Sequence, residues 1–370
     1  MKKMIFTAAM MLASAAAMAQ SGTFQIKGNV EGLPDSLVAM VGRKTENIEV
    51  KKKKFVYSKN FDKPQWVYLC DLKVIKSGVF KANRVFAIPG ETIEMKGNFT
   101  EGVDIKGGKF YQEQDLMNEY KGQAHKDIKA LRKWYSDNVN DSNRDSIEKV
   151  VDERMEPLQK KYAADLLAYA KQHSGQECIA LLIDELDDVK DKETLISLMA
   201  DNVKNGRMKA YYEPIFESAK KRAEMEEKAK VVQASGVDAP DFTLNDINGK
   251  PFTFSSLRGK YVVIDFWGSW CIWCIKGMPK MKEYYEKYKG KFEILGVDCN
   301  DTEAKWKAAV EKHQLPWIHV YNPKGSDVLD KYGVQGFPTK IVIGPDGKIV
   351  KTIVGEDPAF YTLLDEVLGK

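Results

Sequence analysis

The sequence has little cysteine, little net charge and no apolar run as long as a membrane span. Only five cysteines occur among 370 residues, whereas a secreted domain held together by disulfides carries several spaced pairs. The formal net charge of +4 is too small to indicate nucleic acid as a partner. With 44% hydrophobic and 30% charged residues, the chain is not disordered, and its length predicts two or three domains.

The N-terminus has the three parts of a secretory signal. Lys2-Lys3 is followed by an apolar run from Met4 to Ala17 and then by the small-residue triplet Ala17-Met18-Ala19. The alternative, a membrane anchor, needs about 20 apolar residues, and this run is shorter. Gln20 rather than Cys follows the triplet, so nothing indicates lipid attachment. We therefore predict a signal peptide at 1–19 and an exported protein, periplasmic or otherwise extracytoplasmic, that is soluble after cleavage.

Residues 20–109 have the pattern of a small all-β domain. Short runs of β-branched and aromatic residues alternate with turn signals such as Pro89-Gly90 and Gly107-Gly108, which is typical of antiparallel strands. No nucleophile motif, phosphate loop or Cys/His cluster lies in this stretch. Lysines 51–54 lie between two apolar runs, which favours a solvated hairpin turn over a polyanion site.

Residues 110–233 change to a helical period, and we predict an all-helical region whose role the sequence does not reveal. Residues 141–143 are candidates for the N-cap of its longest helix, and Pro157 is a candidate for a bend. The apolar residues that recur every three or four positions in this helix are Ile147, Val150, Val151, Met155, Leu158, Tyr162, Leu166 and Tyr169.

From residue 234 to 370, strand-like and helical runs alternate. This pattern predicts an α/β domain with a mixed central sheet and helices on both faces. Pro345-Asp346-Gly347 is a turn signal that joins the last two strands as a hairpin. Cys271 and Cys274 directly follow the apolar run 262–266, so we expect Cys271 at a junction between a strand and a helix.

A thiol at such a junction has a specific chemistry. The unpaired N–H groups and the positive dipole end of a helix N-terminus favour the thiolate and lower the thiol pKa. A spacing of three places the second cysteine one helical turn further on. We therefore predict that Cys271 attacks a partner disulfide and that Cys274 resolves the mixed disulfide, without a metal or an organic cofactor.

A Cys-x-x-Cys pair is also half of a possible zinc site. Zinc needs two further ligands, but Cys70, Cys178, Cys299, His313 and His319 offer no second closely spaced pair. No metal site is predicted. We expect Cys299 to be a buried apolar residue rather than a second redox thiol, and we expect both histidines to be structural.

Six short motifs in the last domain have the order and spacing of a known family. They are Ala239-Pro240-Asp241-Phe242-Thr243-Leu244, Asn248-Gly249-Lys250, Leu257-Arg258-Gly259-Lys260, Phe266-Trp267-Gly268-Ser269-Trp270-Cys271, Pro279 and Gly336-Phe337-Pro338-Thr339. With these motifs the domain resembles the thioredoxin-like family, and most of all its exported TlpA/ResA branch. The resemblance implies a thiol:disulfide oxidoreductase that acts as reductant or isomerase on disulfide-bearing proteins. It also implies a membrane or soluble electron donor.

The resemblance implies a substrate-binding role for four residues. Pro338 matches the family's cis-proline, which leaves the backbone of Phe337 free to pair with an extended partner strand. Trp270 matches the aromatic residue beside the nucleophile. Together with Trp273, which lies between the cysteines, it is expected to contact the substrate.

Asp265 matches the buried acid that the family places beneath the cysteine pair. Burial should raise its pKa, which makes it the expected proton acceptor for Cys274. Two departures from the family affect this site. Gly277 stands where the exported branch usually has Glu, so Asp265 is expected to handle the proton alone. Ile272-Trp273 lacks the proline usual at its second position, so the direction of electron flow stays open.

Two other functions stay open at this point. The regions before residue 234 are compatible with a ligand- or partner-binding module to which the redox domain is ancillary. Peroxiredoxin-like peroxidases share the Pro-Asp-Phe-Thr-Leu opening, but their loop Pro-x-x-x-Thr-x-x-Cys is absent, because Trp267-Gly268-Ser269-Trp270 stands there.

Overall fold

The computed structural model describes residues 21–369 apart from Val79, Lys121, Asp141 and Ser142. The chain divides into two compact units, one that ends at Ala219 and one that begins at Lys220. The predicted signal peptide lies outside the described residues. No helix in the described part of the chain is long and apolar enough to cross a membrane.

Two β-sheets form the start of the first unit. Among the described residues one sheet has the strand order β4-β5-β1-β8-β9 and the other β3-β2-β6-β7. Side chains alternate between buried and exposed along β1, where Phe24, Ile26 and Val30 are fully buried, as a strand with one covered face requires. The strands are β1 (Gly22–Glu31), β2 (Leu37–Val41), β3 (Lys44–Asn47), β4 (Val50–Lys51), β5 (Lys54–Phe61), β6 (Gln65–Asp71), β7 (Ala82–Ala87), β8 (Thr92–Asn98) and β9 (Gly102–Lys106).

The structure corrects the predicted β domain in two respects. Strands β1 and β8 pair in parallel, so the sheet is not wholly antiparallel. A short helix, α1 (Leu72–Lys76), follows β6, because the Asp71 side chain accepts a hydrogen bond from the N–H of Lys73 at 2.9 Å and caps it. The lysine run does form the predicted hairpin turn, between β4 and β5.

Helices complete the first unit and share one hydrophobic core with its sheets. Phe86 of β7 packs against Phe110 and Tyr211, with ring centroids 5.5 and 4.7 Å apart. The helices are α2 (Lys109–Glu119), α3 (Gly122–Asn138), α4 (Arg144–Gln172), a 3₁₀ segment (Glu177–Asp184), α5 (Val189–Leu198), α6 (Asp201–Lys204) and α7 (Lys209–Val232).

Helix α4 contains Pro157, and its N-cap position is held by Asn143. The other two candidate capping residues, 141 and 142, lie outside the described residues. The division between the two units falls within α7. The domain boundaries at 109/110 and 233/234 stay predictions.

The second unit has the predicted mixed sheet with helices on both faces. In its described residues the strand order is β11-β10-β14-β13-β12-β15-β16. The elements are β10 (Thr243–Asp246), β11 (Pro251–Thr253), β12 (Tyr261–Trp267), α8 (Ile272–Lys287), β13 (Phe292–Cys299), α9 (Glu303–His313), β14 (Ile318–Asn322), α10 (Val328–Tyr332), β15 (Thr339–Ile343), β16 (Ile349–Val354) and α11 (Ala359–Leu368). Strands β12, β13 and β14 are parallel, whereas β15 and β16 run antiparallel as the predicted hairpin.

Strand β12 separates two cores. Val263 and Trp267 belong to the core that also contains the cysteine pair and residues of α8 and α11, whereas Ile264 and Phe266 belong to the core on the opposite face. Because side chains alternate along a strand, Asp265 shares the face of Val263 and Trp267. This places the acid on the side of the sheet that carries the cysteines.

Candidate active site

The cysteine pair lies where helix α8 begins. Cys271 is the N-cap residue, and its Sγ accepts a hydrogen bond from the backbone N–H of Cys274 at 3.1 Å. The two sulfurs form a disulfide, with Cα atoms 5.3 Å apart. Both residues are about 5% exposed. The expected junction between strand and helix is therefore present, and the sulfur of Cys271 already occupies the position that the helix N-terminus favours for an anion.

The loop before Cys271 is held by hydrogen bonds to the end of β13. The backbone N–H and the Oγ of Ser269 donate to the carboxylate of Asp301 at 2.6 and 2.8 Å. The indole Nε1 of Trp270 donates to the carbonyl oxygen of Cys299 at 3.0 Å. A Cβ at Gly268 would lie 2.5 Å from that Nε1 and 2.8 Å from that carbonyl oxygen. Only glycine therefore fits beneath the fixed indole.

An apolar surface surrounds the disulfide. Trp270, Ile272 and Trp273 are 53%, 64% and 58% exposed, and the ring of Phe337 lies edge-on to Trp270 at 5.4 Å. The ammonium of Lys276 lies 4.4 Å from the centre of the Trp273 ring. Large exposed apolar side chains that cluster in this way are characteristic of interaction surfaces.

The Phe337-Pro338 peptide bond is cis, as predicted. The carbonyl oxygen of Pro338 accepts a hydrogen bond from the N–H of Gly355 at 2.7 Å, and Thr339 Oγ1 donates to the Gly336 carbonyl at 2.8 Å. Within the described part of the chain, the backbone N–H and C=O of Phe337 have no hydrogen-bond partner. They remain available to an added strand.

Asp265 is buried in the middle of β12, and its Oδ1 has no hydrogen-bond partner among the described residues. Burial raises the pKa of Asp265 to about 6; Lys340 opposes this rise, and Glu356 adds to it. The predicted direction of the pKa shift is confirmed. The carboxyl group therefore takes up or releases a proton close to neutral pH.

Two charged residues next to Asp265 were missed by the sequence analysis. Lys340 lies directly opposite Asp265 in the pairing of β12 with β15 and is 1% exposed. Its Nζ donates to Glu356 Oε2 at 2.8 Å. Lys340 could have been identified from the sequence, because a lysine inside the apolar run 339–343 is unusual. Nothing local marks Glu356, which lies in the loop after β16.

Cys299 and His319, for which structural roles are predicted, both lie in the interior of the second unit. The structural role of His313 stays a prediction. Cys299 is fully buried, as predicted, and burial raises its pKa. His319 is buried, and burial lowers its pKa to about 3, so it is neutral at physiological pH. Among the described residues no group of three or more His, Cys, Asp or Glu side chains could hold a metal ion.

Known proteins resemble the second unit. The model of the AhpC/TSA family matches residues 235–352. The thiol-disulfide oxidoreductase ResA of Bacillus cereus is 41% identical over 122 residues, which are 33% of this chain and 70% of that protein. ResA of Bacillus subtilis is 36% identical over 123 residues, which are 33% of this chain and 68% of that protein.

A solved thioredoxin domain of a thiol-disulfide oxidoreductase from Bacteroides vulgatus is also similar. It is 34% identical, with a TM-score of 0.35, and the match covers 36% of this chain and 98% of that domain. These matches cover about a third of the chain and say nothing of the remainder.

The fit of Trp270 over Gly268 is tested by Gly268→Ala. The added methyl group should displace the indole, break its bond to Cys299 and destabilise the second unit by about 1–3 kcal/mol. The indole N–H resonance of Trp270, assigned with Trp270→Phe, reports the displacement, and urea unfolding reports the stability. Gly336→Ala is the control, since its Cβ would meet only Val354 at 3.8 Å. An unchanged resonance and an unchanged unfolding midpoint in Gly268→Ala would contradict the packing described.

Burial of Asp265 predicts a pH-dependent stability difference. Its folded pKa of about 6 lies above the ordinary 3.8, so the folded state binds more protons and its stability falls as pH rises through 6. Asp265→Asn should therefore be more stable than the wild type at pH 8, by about 3 kcal/mol, and equally stable below pH 4. Urea unfolding followed by tryptophan fluorescence measures this. The exposed Glu283→Gln on α8 is the control, and parallel curves for wild type and Asp265→Asn across this range would contradict the expectation.

Proposed function

The chain belongs to the thiol-disulfide oxidoreductase family represented by the ResA proteins. From this premise we propose that it reduces or isomerises disulfides of exported proteins. In this proposal Cys271 is the attacking thiol and Cys274 is the resolving thiol. The observation that carries the proposal is the position of Cys271 at the N-cap of α8, with its sulfur bonded to the N–H of Cys274. That N–H and the helix dipole stabilise a Cys271 thiolate once the pair is reduced.

The reaction balances as a two-electron exchange. The Cys271 thiolate attacks one sulfur of the partner disulfide; a new S–S bond forms, and the other partner sulfur leaves as a thiolate and takes a proton. Cys274 then loses its proton and attacks the Cys271 sulfur. The Cys271–Cys274 disulfide forms again, the second partner sulfur leaves, and the partner has gained two electrons and two protons.

The proposed docking surface is the apolar ring around the disulfide, formed by Trp270, Ile272, Trp273 and Phe337. The exposure of Trp270, Ile272 and Trp273 supports contact with a protein chain rather than with a small polar molecule. The open backbone groups of Phe337 support pairing with an extended segment of the partner. Pro338 holds that backbone beside the cysteines. Each partner would thus present its disulfide in a strand-like segment.

The proposed location is extracytoplasmic. It is supported by the basic start, the apolar run and the small-residue triplet of the first 19 residues. In an oxidising compartment the pair needs a source of electrons, so we propose a membrane or soluble dithiol donor as the second partner. No cofactor is required by this chemistry.

Cys271→Ser tests the nucleophile. The variant should no longer accelerate the reduction of insulin by dithiothreitol above the rate without protein, because a serine hydroxyl forms no mixed disulfide under these conditions. Turbidity of the precipitating insulin chains measures the rate, and Cys299→Ser is the control that should keep it. Hydrogen peroxide is offered in parallel. Consumption of peroxide by the wild type without any acceleration of insulin reduction would overturn the proposal in favour of a peroxidase, and acceleration retained in Cys271→Ser would remove Cys271 from the nucleophile role.

Cys274→Ser tests the resolving step. Attack by Cys271 should continue while release fails, so mixed disulfides with native partners should accumulate on non-reducing gels. Mass spectrometry of the bands identifies the partners and their cysteines. Alkylation of Cys271 in the same sample confirms that the thiol is accessible. A reactive Cys271 without any covalent adduct would contradict this order of events.

A further inference from the structure

Residue 277 has no side chain, yet the space of that side chain is filled. A Cβ built on Gly277 would overlap the carboxylate of Glu356, with Oε1 at 2.7 Å. Glu356 comes from the loop between β16 and α11, a different part of the chain. Thus a carboxylate lies against α8 where a side chain at residue 277 would start.

That place is one helical turn beyond the resolving cysteine. Residue 277 follows Cys274 by three positions, and residues with this spacing are neighbours on one helix face, with Cβ atoms roughly 5–6 Å apart. Gly277 and Cys274 are both buried on the face of α8 that packs in the core of the second unit. The Glu356 carboxylate therefore lies about one helical turn from Cys274 along this face.

Glu356 is held by specific partners. Its Oε2 accepts from Lys340 Nζ at 2.8 Å, and its Oε1 accepts from the Tyr361 hydroxyl at 2.8 Å. The same hydroxyl lies 3.4 Å from the carbonyl oxygen of Gly277. The side chains of Lys340 and Glu356 are 1% and 18% exposed. These two hydrogen bonds fix the position of the carboxylate against α8.

Two acids share the one lysine. Asp265 lies opposite Lys340 on the neighbouring strand. Lys340 also forms an ion pair with Glu356. With all three groups ionised the cluster has one net negative charge, whereas one added proton makes it neutral. A buried cluster favours the neutral state, because net charge in a poorly solvated site is costly. The cluster is therefore able to hold the proton that Cys274 must lose.

We propose that Glu356 is a positioning residue that replaces a carboxylate at residue 277 and, with Lys340, sets the proton affinity of Asp265 during resolution by Cys274. The proposal rests on the proposed function. Asp265 takes the proton from the Cys274 thiol, the S–S bond to Cys271 forms, and the partner thiolate leaves. The proton then passes to water or to the departing thiolate.

Several other titratable groups lie around the cluster. Asp265 also interacts with Cys299 of β13 and with Tyr361 of α11, and Tyr361 interacts with Tyr284 of α8. Burial raises the pKa of Cys299 and of Tyr361, so both keep their protons near neutral pH. Asp298 of β13, opposite Trp267, is also buried, and burial raises its pKa to about 8. Between pH 5 and 9 the carboxyl groups around the cluster with pKa values shifted into the range are therefore Asp265 and Asp298.

The experiment follows the two steps separately in the full-length reduced protein. Dithiobis(nitrobenzoate) releases one coloured thiolate when Cys271 attacks and a second when Cys274 resolves the mixed disulfide. Stopped-flow absorbance from pH 5 to 9 gives a pH profile for each phase. Asp265→Asn should slow the second phase at neutral pH by about 10²-fold and leave the first phase unchanged.

The proposed role of Glu356 predicts that Glu356→Gln and Lys340→Met shift the midpoint of the second-phase pH profile in opposite directions. Glu356→Gln removes a negative charge, so the midpoint of the second-phase profile should move to lower pH by about 1 unit. Lys340→Met removes the positive charge, so that midpoint should move upward. The exposed Glu366→Gln on α11 is the matched control and should leave the profile unchanged. A residue that serves only to hold the fold would not shift the midpoint in a direction set by its charge.

Relocation of the carboxylate gives an independent test if Lys340→Met does not fold. Glu356→Gly should shift the midpoint as Glu356→Gln does. Combining Glu356→Gly with Gly277→Glu should return it toward the wild-type value, because the vacated space accepts the new side chain. Gly277→Glu alone should disturb the site, since its Cβ would overlap the Glu356 carboxylate.

The outcomes separate the two proposals. An unchanged second-phase midpoint in Glu356→Gln, with both phases still dependent on the cysteines, overturns the role of Glu356 and leaves the proposed function intact. If both phases persist in Cys271→Ser, the proposed function fails, and the role of Glu356 fails with it. Opposite shifts with Glu356 and Lys340, together with rescue by relocation, support both.

Discussion

The hydrogen bond from the N–H of Cys274 to the sulfur of Cys271 joins the loop after strand β12 to the first turn of helix α8. At this one point the sulfur replaces the oxygen that usually caps a helix. Cys271 is therefore the last residue before the helix, and the backbone N–H of Cys274 donates the hydrogen bond of the cap. In the proposed reaction, the difference between an attacking and a resolving thiol comes from helix geometry, since both are cysteines of nearly equal burial.

The surface above the cap and the core below it have opposite characters. Above it, the exposed rings of Trp270 and Trp273 offer apolar area to a partner. Below it, Asp265, Lys340 and Glu356 place three ionisable groups in the interior of a small domain. Burial of such groups rarely adds stability, and the unpaired Oδ1 of Asp265 adds to the cost. The proposed transfer of a proton during each turnover would be a physical reason to retain them.

Under the proposed role of Glu356, the carboxylate that acts beside the cysteines comes from a different part of the chain than residue 277. A glutamate at that position would bring its carboxylate from α8 itself. In this protein the carboxylate comes from the loop after β16, and the missing Cβ leaves it room. Lys340 and Tyr361 fix its orientation. The first unit has its own core of sheets and helices, and its role is independent of these arguments.

Local patterns were sufficient for much of the second unit. The spacing of Cys271 and Cys274 after an apolar strand determined the junction and the cap, because helix termini depend on a few adjacent residues. The hairpin at Pro345-Asp346-Gly347 and the cis bond at Pro338 were likewise predictable from short motifs. The tertiary structure decided the parallel pairing of β1 with β8, the common core of the β-rich and helical regions, and the approach of Glu356 to Gly277. Each of these depends on packing between residues distant in sequence. Local sequence preferences do not predict which distant side chain fills a given space.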